Sequence, residues 1–129
     1  MFFGGLLILL PLLTGCAKKA KVSDANRDAV SGTVTLDGKP LAFGSITFVS
    51  VKDATYTTTA AIHDGHFSIG NAPAGECRVT VETESMRSLP KTYVPIPLKY
   101  GNAQTSGFTA TILKGQPEGT KLTFELKSK

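Results

Sequence analysis

Val30–Val51, VSGTVTLDGKPLAFGSITFVSV, is the stretch whose reading decides the fold. In its first run Val30, Gly32, Val34 and Leu36 share one face while Ser31, Thr33 and Thr35 share the other, the two-residue period of a half-buried strand. The second run repeats the rule, with Ile46 and Phe48 facing one way and Thr47 and Val49 the other. Between them lies Asp37-Gly38-Lys39-Pro40. Asp-Gly reaches positive φ at little cost and Pro40 has no N–H to give a ladder, so the stretch predicts two strands folded into a hairpin about a tight turn.

Downstream the same grammar continues. Thr55–Ile62 reads as a Thr-rich strand, His63-Asp64-Gly65 as a turn, and His66–Ile69 as the returning partner with Phe67 and Ile69 inward. Asn71–Gly75 turns the chain into Glu76–Thr83, where Cys77, Val79 and Val81 oppose Arg78, Thr80 and Glu82 in the cleanest alternation of the sequence. Phe108–Leu113 and Lys121–Leu126 read as a final pair joined by residues 114–120. No stretch beyond Leu13 has convincing helical spacing, and 13 Gly, 7 Pro and no Trp suit short strands joined by tight turns. The class is all-β, and the spacing predicts an antiparallel two-sheet β-sandwich of about seven strands.

Upstream, the chain reads as delivery and tether. Residues 1–13 are an apolar run, shorter than the roughly 20 residues that span a bilayer but suited to the core of a signal peptide. The run leads into Leu13-Thr14-Gly15-Cys16, a lipobox-like sequence. Small residues let an extended backbone enter a peptidase, and only the Cys16 thiolate is nucleophilic enough to take a diacylglycerol as a thioether. The expected organisation is therefore a lipoprotein signal peptide over 1–15, a lipidated Cys16 with a flexible tether over 16–29, and one domain over 30–127. The tether is polar and without period, and fully extended it reaches about 40 Å. No Lys or Arg precedes the apolar run, which leaves the placement of the start codon open.

The formal charge of +4 comes from 14 Lys and Arg against 10 Asp and Glu, all of them after Cys16. Lys18, Lys19 and Lys21 stand beside the expected anchor, where anionic headgroups favour them. Elsewhere the signs are interspersed, with neither a long basic run nor an RNA-binding aromatic motif, which argues against nucleic acid as a partner. The expected location is the bacterial cell envelope, with the domain facing outward from the cytoplasm. Ala17 after the cysteine is not the Asp that signals inner-membrane retention in proteobacteria, but which membrane is used stays open.

The order SGTVTLDGKPLAFGSITFV (31–49), HDGHFSI (63–69) and APAGECRVTV (72–81) resembles the carboxypeptidase regulatory-like domain, a transthyretin-like (prealbumin-like) Greek-key β-sandwich. PLKYGNAQTSG (97–107) and SGFTATILKGQPEGTKLTFEL (106–126) are also similar to the small single-domain lipoproteins of this type that are numerous in planctomycete genomes. The resemblance covers residues 30–127. It implies a non-catalytic companion domain, with no cofactor. Cys77 departs from the pattern, which usually carries Tyr at that place.

Candidate chemistry is sparse. Cys77, on the Val79/Val81 face, reads as a small core residue, and no base is at hand to make it a nucleophile. His63, Asp64 and His66 fall within four residues, but a hairpin need not make them converge and no fourth ligand stands out, so no metal is expected. There is no Gly-x-Ser-x-Gly and no acid–base carboxylate pair. Glu82 and Glu84 read as a solvated strand edge. A transthyretin-like hydrolase is the enzyme alternative, for which no His/Arg/Ser constellation can be nominated, so no catalytic residues are expected. The remaining segment, Glu84–Gly107, is long and carries Pro90, Pro95 and Pro97. In it Arg87, Lys91 and Lys99 interleave with Tyr93 and Tyr100, cations beside aromatic faces of the kind that grip sugars or anionic polymers. Two readings follow: a ligand surface for envelope polysaccharide, or a structural cover in which Val94, Ile96 and Leu98 close an open edge and Tyr100 plugs it. The function expected is that of a membrane-anchored, non-enzymatic envelope interaction or structural module, with an envelope protein or polysaccharide as partner.

Overall fold

The computed structural model describes residues 27–129, so the expected signal peptide, Cys16 and nearly all of the tether lie outside the described residues. The chain builds β1 (Arg27–Leu36), β2 (Lys39–Pro40), β3 (Phe43–Ser50), β4 (Thr57–His63), β5 (His66–Pro73), β6 (Gly75–Glu82), β7 (Phe108–Ile112) and β8 (Thr120–Leu126). Two single-turn 3-10 segments, Glu84–Met86 and Leu98–Gly101, interrupt the connector between β6 and β7. The fold is all-β, a single curled sheet of mostly antiparallel strands in the order β2-β1-β5-β4-β3-β6-β7, with β8 paired to β1.

The alternation in the sequence sets which face of each strand is dry. Ile46 and Phe48 on β3, Phe67 and Ile69 on β5, and Cys77, Val79 and Val81 on β6 are all buried in one cluster with Val30, Val34, Phe124 and Leu126. Phe108 on β7 and Phe124 on β8 come from strands far apart in the sheet order, yet their ring centroids are 5.3 Å apart. Phe48, Phe67 and Phe124 meet one another at 5.9 to 6.2 Å. The sheet thus curls until both of its flanks contribute aromatic rings to one core.

Two expected pairings are corrected. The Asp37-Gly38 turn forms, with φ of 53° and 85°, a two-residue primed turn. The hairpin it closes is only β1 with β2, Leu36 opposite Lys39 and Thr35 opposite Pro40. β3 does not pair with β1. That edge of β1 is taken by β5 from Arg27 to Thr33, and at Leu41 the chain drops its side chain into the core and crosses over to pair β3 with β4 and β6. Nor do β7 and β8 form a terminal hairpin. β7 pairs with β6, whereas β8 runs parallel to β1, from Val30 opposite Thr120 to Leu36 opposite Leu126. Gly32 permits that approach, because a Cβ there would overlap the Leu122 carbonyl oxygen.

The register also sorts the molecule into two ends. Arg27 lies opposite Pro73 and Ser50 opposite Cys77, so the chain enters at the end that holds the β5–β6 turn. The Asp37-Gly38 turn, the His63/His66 turn and the exit of β6 at Glu82 lie at the other end. The connector begins there.

Candidate functional site

The connector starts where β6 runs out. The Glu82 carboxylate accepts the Ser85 N–H at 2.9 Å and the Ser85 hydroxyl at 2.8 Å, which bends the chain into the first 3-10 turn. Glu84, expected on a strand edge beside Glu82, instead opens that turn and ties two parts of the connector together. Its Oε1 pairs with Arg87 Nη1 at 3.1 Å, and its Oε2 accepts the Tyr93 hydroxyl at 2.9 Å. The hydrogen bond to a carboxylate, with help from burial, raises the Tyr93 phenol above its ordinary value. Buried Thr83 donates its hydroxyl to the Val94 carbonyl at 2.6 Å and seats the extended, proline-rich stretch against the sheet. Ile96 then enters the core.

The second 3-10 turn is anchored differently. Tyr100 is 5% exposed and its ring lies parallel to that of Phe108, 5.4 Å between centroids. Its hydroxyl oxygen accepts the Lys127 N–H at 3.0 Å, and Lys99 Nζ stands 5.2 Å from the ring centre. The connector closes with Ser106, whose hydroxyl donates to the Val79 carbonyl at 2.6 Å.

The five expected ligand residues fall into two groups by the partners they make. Arg87 and Tyr93 come together through Glu84, Lys91 is exposed on the same segment, and Lys99 stays with Tyr100. Tyr100 is withdrawn into the core, as the plug reading of the sequence has it, so an open aromatic groove over both tyrosines is not assembled.

A feature missed in the sequence lies between these two halves. A cleft of about 240 Å³ opens beside the last residues of β6, walled by Val81, Ile96 and Leu98 with Glu82 and Glu84 at its lining. The i,i+3 spacing of Glu84 and Arg87 was the available sign that Glu84 leaves the strand. A second cleft of about 460 Å³ lies at the same end, between Leu36, Lys39 and Val94.

Cys77 is fully buried, its Sγ 3.5 Å from the Pro73 carbonyl oxygen, and burial pushes the thiol up to about 11. It pairs with Ser50 at the chain-entry end, whereas His63 pairs with Phe43 at the other, so the thiol and the histidines are kept apart by the length of β3. Asp64 and Gly65, at φ of 50° and 80°, make the tight turn between the exposed histidines, and His63 sets its ring edge-on to Phe43 at 5.0 Å. Among the described residues no three His, Cys, Asp or Glu side chains are placed to hold a metal ion, and no helix is long and apolar enough to cross a membrane. Comparison with protein-family models, curated proteins and solved structures found no match.

Proposed function

We propose that the protein is a lipid-anchored, non-enzymatic module of a bacterial envelope, which presents the connector end of its sheet to a partner. The reading starts from Leu13-Thr14-Gly15-Cys16 at the end of a short apolar run. The observation that carries it further is the separation of the two ends. The chain enters β1 opposite Pro73, while the proline-stiffened connector and the two clefts beside it sit where β6 ends. A tether fixed at Cys16 would hold the first end toward the bilayer and turn the second away from it. Two acyl chains buried at about 0.8 kcal/mol per methylene suffice for stable attachment.

The fold proposed is the carboxypeptidase regulatory-like, transthyretin-like Greek-key sandwich. β4 and β5 share a single ladder pair, His63 with His66, which supports treating β4-β3-β6-β7 and β8-β1-β5 as two leaves joined at that hinge. Envelope polysaccharide is a second reading of the partner, favoured by the exposed Arg87 held near Tyr93. Expression of Cys16→Ser with fractionation tests the main reading: the protein leaves the membrane fraction or stays unprocessed. An unchanged membrane-bound product overturns it.

A further inference from the structure

Spacing along the chain does not say whether His63 and His66 converge, but the strand register does. They are the described ladder pair through which β4 and β5 meet, directly opposite each other across the Asp64-Gly65 turn. Residues opposite in an antiparallel pair send their side chains to the same face, with Cβ atoms about 4.5–5.5 Å apart. Two imidazoles at that spacing can each aim a nitrogen at one atom between them. The turn that spaces them is itself fastened: the Asp64 N–H donates to the Ala42 carbonyl and the Gly65 N–H to the Leu41 carbonyl, both at 2.7 Å, and the Gly65 carbonyl accepts the Val34 N–H at 2.8 Å. The pair is therefore held in place before any ligand arrives.

The surroundings leave both rings open to a cation. On the exposed face the register sets Phe43 beside His63 and Thr33 beside His66, with Ala61 and Ser68 next along the two strands. None of these four is charged, and two are small. Phe43 meets the His63 ring edge-on at 5.0 Å, which limits the ring's rotation. The Asp64 carboxylate stands 3.5 Å from His63 Nδ1, where it favours the proton on that nitrogen and leaves the lone pair on Nε2. The His63 side chain is 70% exposed, and the exposed His66 imidazole makes no hydrogen bond or ion pair among the described residues.

We propose that His63 and His66 together bind one divalent transition-metal ion of the zinc, nickel and copper class, through Nε2 of His63 and one ring nitrogen of His66, with water in the remaining positions. Imidazole nitrogen suits these ions, whereas magnesium and calcium take oxygen ligands. Two protein ligands make an exchangeable surface site, not a structural one, and the fold does not depend on filling it. The site goes beyond the interaction-module reading and does not require the lipid anchor.

The test is isothermal titration of the full-chain protein in detergent with zinc chloride, in a buffer that does not bind zinc. These are the 2 histidines of the whole chain, so an imidazole site has one place to be. One zinc ion per chain is expected, saturating below about 1 mM and weakened about tenfold or more by His63→Ala or by His66→Ala alone, because a chelate needs both rings. Magnesium chloride over the same range should give no saturable heat. Zinc should also raise the thermal midpoint of the native chain and not of either variant, since the unfolded chain does not hold the rings at this spacing. Both side chains are exposed, and the midpoint without zinc checks that the variants fold; His63→Gln and His66→Gln repeat the test where alanine lowers it. Two independent ions per chain with each variant losing one, affinity indifferent to the substitutions, equal binding of magnesium, or no saturation by about 1 mM overturns the proposal.

Discussion

Tyr100 lies flat on Phe108, 11° between ring planes, and its hydroxyl oxygen holds the backbone N–H of Lys127 twenty-seven residues further on. One connector residue thereby fastens the start of β7 to the tail that follows β8. Tyr100→Ala should destabilise the domain by about 3–5 kcal/mol, as removal of a buried ring does, whereas Tyr100→Phe keeps the stack and loses about 1 kcal/mol with the hydrogen bond. Urea denaturation of both variants measures the difference, and equal costs would show that the hydroxyl, not the ring, is what counts.

Arg87 and Tyr93 should behave oppositely to Tyr100. The Arg87–Glu84 pair lies at the surface, where an ion pair contributes about 0–1 kcal/mol, and the Tyr93–Glu84 hydrogen bond is only partly buried, where one is worth about 0.5–1.5 kcal/mol. Arg87→Ala and Tyr93→Ala are expected to leave the thermal midpoint nearly unchanged, and if polysaccharide is the ligand each should weaken retention on immobilised envelope polysaccharide by about 1 kcal/mol or more. Unfolding of the domain by either change, without a separable binding defect, would make the segment a cover only.

Cys77 is predicted to be inert and pH-linked. With its thiol held up to about 11 in the folded chain against an ordinary 9.0, the native state keeps a proton that the unfolded chain gives up. Its stabilising contribution is complete below pH 9.0 and is lost as pH rises through about 11. Cys77→Val should remove that part of the alkaline decline at a cost within about 1.5 kcal/mol, and Cys77→Asp should cost about 3 kcal/mol or more. Rapid reaction of native protein with a bulky thiol reagent would contradict the burial.

Gly32 carries the parallel pairing of β8. Gly32→Ala places a methyl group in the Leu122 carbonyl and should cost about 3 kcal/mol or more, detected as a lowered denaturation midpoint. Gly70→Ala, with nothing within 4 Å of its would-be Cβ, should be neutral or stabilising by up to about 1 kcal/mol.

These residues show what was legible in the chain. A period of two names the buried face of a strand, so Ile46, Phe48, Cys77, Val79 and Val81 were readable as core. It does not name the neighbour. β1 and β3 flank an Asp-Gly turn and still pair elsewhere: β5 takes the edge of β1 from Arg27 to Thr33, and β3 lies between β4 and β6. The parallel seat of β8 depends on the missing side chain of Gly32, a steric fact with no period. In the connector, Tyr93 and Tyr100 are the same residue in similar polar company. Only their tertiary partners, a carboxylate for one and Phe108 for the other, separate surface from core. The cleft beside β6 was hidden for the same reason: it exists because β7 stops at Phe108 while β6 continues to Glu82.

The most direct measurement is the intact mass and N-terminal fragment spectrum of the protein extracted from the membranes of cells that express it. The expected product is a mature chain that begins at Cys16, heavier than its sequence by a thioether-linked diacylglycerol. A chain that begins elsewhere, or a Cys16 without lipid, contradicts it.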